Sequence, residues 1–271
     1  MSDAPQPPVP GVSAGKPSVA RINNYFAGGK DNFAIDRAIG EKVLTLAPEA
    51  KEMGVHVQAF RERSVTHLIR AGVRQFLQIG AWLPVPRNVH QIAQDLAPES
   101  RTVYVADDAV ALNHARALLA TDERTGVAEG NILDPDKILE HPMTRRQLDL
   151  SQPVMVLLFG MLQYIPDDYG IYESVAALSD RLAPGSHVAI THAVFDTRPD
   201  IAEAVADIYR EALGRPTGKP RTMAEAERFF DGLELIEPGF VYVRQWRPEA
   251  PVSDAEAAKT WIAAGIGRKP G

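Results

Sequence analysis

RQFLQIGAWLPVPRNVHQIAQDLAPESRTVYVADD, residues 74–108, is the stretch on which the fold turns. It opens on an apolar run over 74–79, breaks at Gly80, and passes through a helix-period stretch over about 86–97. It then reaches a second apolar run, TVYVA, at 102–106. A short apolar run, a helical stretch and a second run make a βαβ unit, whose two strands lie parallel in one sheet.

The alternation continues toward the C-terminus. GVAE (126–129), PVMVLLF (153–159) and HVAIT (187–191) read as strands, with helices over about 109–120, 136–141 and 168–183. The run 153–159 is apolar on both phases, as expected of a central strand covered on two faces. Helical stretches at about 199–213 and 222–231 precede LELIEPGFVYVRQW (233–246). That segment reads as two strands turned by Pro238-Gly239 into an antiparallel hairpin. Five parallel strands and a hairpin predict a seven-stranded sheet.

Toward the N-terminus the period is helical. Ser18 is placed to cap a helix over Val19–Phe26 that ends at Gly28-Gly29. A second helix runs from Asp31, as its cap, to about Leu46, before Pro48. A third covers about Ala50–Ala71 and stops at Gly72. Residues 1–17, rich in Pro, Gly and Ser, read as a disordered tail. The expected organisation is one domain over 18–271, with a helical cap (18–72) and an α/β core (73–271).

Of the 271 residues, 45% are hydrophobic and 24% charged, a balance that builds a globular core. The net charge of −6 argues against nucleic acid as main partner, because phosphate binding wants a basic face. The chain has no cysteine, which removes disulfides, thiolate nucleophiles and Cys-based metal sites. No window reaches the ~18–20 apolar residues of a membrane span, and the N-terminus lacks a signal-peptide core. A cytoplasmic protein with a small-molecule partner, and no membrane partner, is expected. The seven histidines (56, 67, 90, 114, 141, 187 and 192) show no His-x-x-x-His spacing, so no metal site is expected.

In an open α/β sheet, ligands bind beyond the carboxyl ends of the strands. The loops concerned are 79–90, 106–110, 130–135 and 160–168. At these loops and in PSVARINNYFAGGKDNFAIDR (17–37) the chain resembles an actinobacterial S-adenosylmethionine (SAM)-dependent methyltransferase family, first catalogued as a domain of unknown function. LQYIPDD (162–168), RLAPGSHVAITHA (181–193) and GRKP (267–270) carry the same likeness, which spans about residues 17 to 270. The resemblance implies a Rossmann-like seven-stranded class I methyltransferase fold with an N-terminal helical cap, and SAM across the strand ends.

By that resemblance, Tyr25, Gly29 and Lys30 of the N-terminal element close over the cofactor. Gly80, Ala81 and Trp82 follow strand one, Asp107 and Asp108 follow strand two, and Asn131 and Ile132 follow strand three. The candidate catalytic residues are Gln163 and Tyr164, after strand four, and His90, on the helix after the first loop. Each has a plainer reading: Tyr164 as packing, His90 as a helix histidine bonded to a nearby carbonyl, Asp31 as a cap. His192, ending strand five, stands in the same position.

The chain departs from the family at all four loops. Gln78-Ile79-Gly80-Ala81-Trp82 stands for Asp-Ile-Gly-Thr-Gly, Ala106-Asp107-Asp108 for Asp-Asn-Asp, Asn131 for the usual Asp, and Gln163 for a common His. Trp82 puts an indole where a glycine lets the ligand approach. Ala106 cannot accept ribose hydroxyls, and losing a charged hydrogen bond of roughly 1.5–3 kcal/mol predicts ~10- to 100-fold weaker cofactor binding. Asp107 substitutes if the register shifts by one. Gln78, Ala106 and Asn131 replace three acids, and a neutralised pocket suits a neutral or anionic ligand better than the SAM sulfonium and ammonium. Three readings stay open. One is a SAM-dependent methyltransferase of a small molecule, in specialised metabolism, with a degraded SAM site. The others are a SAM-independent cyclase or lyase on the same scaffold, and a non-catalytic binding subunit.

Overall fold

Five parallel strands form where the apolar runs predict them: β1 (Gln75–Ile79), β2 (Arg101–Ala106), β3 (Thr125–Glu129), β4 (Met155–Phe159) and β5 (His187–Ala193). The computed structural model describes residues 15–26, 28–80, 87–107, 109–120 and 122–271. β1, β4 and β5 are buried along their whole length, which accounts for their continuous apolar reading.

Helices cover both faces of this sheet, and alternate residues of each strand divide between them. Phe76, Tyr104, Leu157 and Phe159 pack against α3 (Ala50–Arg70), α4 (Val89–Leu96) and α5 (Ala109–Leu118). Leu77, Val105, Val156 and Ile190 pack against α6 (Pro135–Glu140) and α8 (Ile171–Asp180) on the other face. Between α6 and α8 lies a further short helix, α7 (Pro142–Gln147), absent from the sequence reading. Pro142 opens it with its missing N–H at a position that has no helical partner.

The C-terminal hairpin is corrected. β6 (Glu234–Leu235) and β7 (Val241–Tyr242) do not pair with each other; both pair with β8 (Ile262–Arg268), which the sequence reading left out. β8 lies antiparallel beside β5, giving the order β3-β2-β1-β4-β5-β8-β6 with β7 also on β8. The eight strands thus occupy seven positions, the last shared by β6 and β7. Leu235 faces Gly267 and Val241 faces Ala264, so six steps along one chain match three along the other. The Pro238-Gly239 break absorbs the difference. β8 is hard to see because it reads IAAGIGR. Its Gly267 is required by a close approach: a Cβ there would stand 2.8 Å from Leu233 and from Phe230.

The cap is α1 (Val19–Phe26), α2 (Ala34–Leu46) and the first turns of α3. Asp31 does not cap α2, which starts three residues later. Phe33 is its N-cap, and the Asp36 carboxylate accepts the Phe33 N–H at 2.9 Å, the Ser18 N–H at 3.0 Å and Arg21 Nε at 2.6 Å. Ile22, Val43 and Met53 of the cap pack with Val205 and Tyr209 of α9 (Ala202–Leu213) and with Trp261. Glu49, just ahead of α3, accepts the Trp261 indole N–H at 3.1 Å and pairs with Arg198. α10 (Met223–Glu227) and α11 (Asp254–Ala257) complete the chain. No helix among the described residues is long and apolar enough to cross a membrane.

Candidate functional site

Two places meet at the carboxyl edge of the sheet. The first is the row of residues that follow β1, β2 and β3. Gly80 ends β1 with φ +72°, and a Cβ there would stand 2.6 Å from Met161 Sδ. Only glycine turns the chain this way at so close a contact. Ala106 is buried in the last position of β2, and Asp107 follows it with its carboxylate exposed. Asn131, past β3, donates to Asp107 Oδ2 at 2.6 Å while its own Oδ1 accepts the Leu133 N–H at 2.9 Å. An aspartate at 131 would set two carboxylates against each other; the amide holds Asp107 instead. Ile132 is buried beside them. Ala81, Trp82 and Asp108 lie outside the described residues.

The second place is a cavity of about 540 Å3 where β4 and β5 meet the cap. Its lining is mostly apolar, from Val43, Phe159, Phe195, Tyr209 and Trp261. Gly29, Gln163, Tyr164 and His192 reach it among the sequence-predicted residues. Tyr164 sits with its ring 4.9 Å from that of Tyr209, and Asn23 and Gln163 flank its hydroxyl. Burial raises the Tyr164 pKa, so the phenol keeps its proton at neutral pH.

The other predicted residues are turned elsewhere. The Tyr25 hydroxyl donates to Glu41, and Lys30 is exposed. Asn32, of the same element, donates to Asn24 at 2.9 Å and to the Gly29 carbonyl at 2.8 Å, which fixes the turn between α1 and α2. His90 is buried on the first turn of α4, its Nδ1 2.9 Å from the Tyr104 hydroxyl, which also accepts the His90 backbone N–H at 3.1 Å. Burial lowers the His90 pKa.

Arg221, buried completely, organises the loop after β4. It donates from Nε to Asp167 Oδ1 at 3.0 Å, and from its other nitrogens to the Leu162 and Ile165 carbonyls at 3.0 and 2.9 Å. A fourth contact, 3.1 Å, runs to His192 Nε2. His192 Nδ1 is 2.6 Å from the Ala193 carbonyl, so Nδ1 carries the proton and Nε2 accepts. Burial, then the Arg221 charge, lowers its pKa to about 3. Sequence reasoning missed Arg221, because nothing local marks an arginine whose partners lie 29 to 59 residues away.

It also missed Arg61, for which a signal existed. Arg61 shares the buried face of α3 with Ser64, Val65 and Leu68, an arginine on an apolar stripe. Among the described residues, no group of His, Asp or Glu is placed to hold a metal ion.

A mostly parallel open sheet with one antiparallel strand inserted beside the last parallel one, and a ligand-sized cavity at its carboxyl edge, defines the class I methyltransferase fold. The chain belongs to the S-adenosyl methyltransferase family, whose sequence model matches residues 6–270. It is similar to a protein from Thermobifida fusca YX named "putative methyltransferase", at 41% identity over 94% of this chain and 96% of that one, TM-score 0.88. A DUF574 family protein from Streptomyces avermitilis MA-4680 is 36% identical over 94% and 98%, TM-score 0.87. An O-methyltransferase family protein from Burkholderia thailandensis shares the fold alone, at 14% identity over 82% and 58%, TM-score 0.50. No protein of curated function matches the sequence.

Proposed function

We propose that the protein transfers a methyl group from SAM to a small molecule held beneath the cap. The cavity beneath the cap carries this reading. At about 540 Å3, mostly apolar with a few polar groups, it has the size and character of a small-molecule site. SAM supplies a sulfonium-bound methyl group, and its adenosine end belongs at the neighbouring ends of β1–β3. There Asp107, fixed by Asn131, is the acid available for the ribose hydroxyls. The acid stands one residue later than in the family pattern, which is the register shift the sequence allows for. With Gln78 and Ala106 still neutral, binding is expected in the micromolar range rather than tighter.

The residues in the cavity position and exclude water; none needs to act as a base. Aligning acceptor and methyl donor supplies most of what such a transfer requires. Tyr164, protonated at neutral pH, donates a hydrogen bond to the acceptor. A cysteine-free chain of this kind fits the cytoplasm.

Calorimetric titration of the ligand-free protein with SAM and S-adenosylhomocysteine tests the proposal. Micromolar binding of both is expected. Absence of binding at millimolar ligand would sink it and turn the search to SAM-independent chemistry in the same cavity.

A further inference from the structure

Arg61 is a buried cation without a countercharge among the described residues. It is 6% exposed, on α3, with its guanidinium carbon 5.8 Å from the centre of the Phe159 ring. One terminal nitrogen donates to Gln58; Nε is buried with no acceptor. No carboxylate among the described residues pairs with it. Burial lowers its pKa to about 10, so it is charged at neutral pH. A charge withdrawn from water in this way is unfavourable until an anion with matching geometry completes it.

The surroundings make the missing group specific. Two other cations line the same cavity, and both have partners: Lys219 pairs with Glu225 at 2.6 Å and Arg221 with Asp167. Among the described residues, no aspartate or glutamate lines it. Among the described residues, four further polar atoms on its walls lack hydrogen-bond partners: Asn23 Nδ2, Gln163 Oε1, Thr191 Oγ1 and Thr217 Oγ1. Most of the remaining wall is apolar or aromatic, with Asn24, Gln58 and His192 as its other polar side chains.

We infer that Arg61 is the receptor for a carboxylate held inside this cavity, one carried on an apolar body. A guanidinium presents parallel N–H groups that a carboxylate accepts in pairs, while the apolar walls take the remainder of the ligand. Two sources supply that carboxylate: an acceptor that is an organic acid, or the amino-acid end of SAM itself. The acceptor source rests on the reading of the cavity given above; the cation's need for an anion does not.

The test is calorimetry on the full chain as wild type, Arg61→Met and Arg61→Lys with two pairs of probes. S-adenosylhomocysteine is paired with 5′-methylthioadenosine, which lacks the amino-acid end. 2-Naphthoate is paired with 2-naphthamide, its neutral counterpart, with and without S-adenosylhomocysteine present. Arg61→Met is expected to weaken one carboxylate at least tenfold and its neutral counterpart less than twofold, with Arg61→Lys in between. Loss on naphthoate assigns the acceptor; loss on S-adenosylhomocysteine assigns the cofactor. Both variants remove or shorten an unpaired buried charge, so thermal melting is expected to show folded protein. If Arg61→Met alone melts early, Arg61→Lys carries the comparison.

Unchanged affinity for both carboxylates, equal loss on the neutral probes, or wild-type protein that binds neither carboxylate overturns the inference. Arg61-dependent binding of naphthoate without any binding of S-adenosylhomocysteine keeps it and removes the methyl-transfer reading. Binding of S-adenosylhomocysteine that Arg61 does not influence, with no Arg61-dependent naphthoate binding, does the reverse.

Discussion

The strand ends at β1–β3 and the cavity at β4–β5 lie on one edge of one sheet and are built on opposite plans. At the strand ends the polar groups are exposed and paired within the protein: Asn131 with Asp107. In the cavity, among the described residues, five buried polar atoms are unpaired, Arg61 Nε among them. Acid stands at the strand ends; among the described residues, the cavity wall has only cations and neutral groups. A buried polar atom left unpaired costs about 1–3 kcal/mol. The cavity therefore reads as half of a complex.

The largest way to break this contrast is Arg221→Met. Four groups of the loop after β4 and of β5 lose their donor together, among them the Leu162 and Ile165 carbonyls and Asp167. Removing one partner from a buried pair costs about 3–5 kcal/mol. Urea denaturation should show a loss of that size and a cavity that no longer binds its ligand.

Asp107→Ala sharpens the contrast from the side of the strand ends. The carboxylate is exposed, so the melting temperature should move little. Affinity for S-adenosylhomocysteine should fall ~10- to 100-fold, the equivalent of roughly 1.5–3 kcal/mol. An unaltered affinity in calorimetry would show that Asp107 does not hold the ribose.

A further effect is with pH. Burial holds the His192 pKa at about 3 and, with the Arg268 charge adding to it, His187 at about 4. Both lie below the ordinary value near 6.5. The unfolded chain therefore takes up protons that the native one refuses. Stability from these groups is full above about pH 6.5 and is lost as the pH falls toward their folded values. The loss is at most about 1.4 kcal/mol per pH unit for each histidine. Denaturation at pH 7, 6 and 5 should show the decline, and His187→Gln should flatten it.

The parallel half of the sheet was legible because burial on both faces writes itself as uninterrupted apolar residues. α1 was legible to the residue, because Gly28-Gly29 ends it. β8 was not, since its alanines and glycines carry little strand preference and its place depends on β5 at one side and two separate segments at the other. Pro238-Gly239 marked a turn correctly but could not say that its flanks pair with a third strand. Asp31 looked like a cap because Asp36, five residues on, does the work by bonding back to Phe33. In the site, the loops after β1, β2 and β3 are marked in the sequence by their position after the strands. The cavity's charge balance is not, because it is a property of side chains brought together from the cap, β4, β5 and the 215–221 loop.

The divided last position of the sheet has a consequence for how copies of the protein meet. A strand at the rim of a sheet offers a row of free N–H and C=O groups that another molecule's strand can continue. Here that rim is two stubs of two residues each, β6 and β7, thrown out of step by three residues. No single straight strand can follow both ladders. The irregularity that hid this region from the sequence reading also guards the rim against edge-to-edge aggregation.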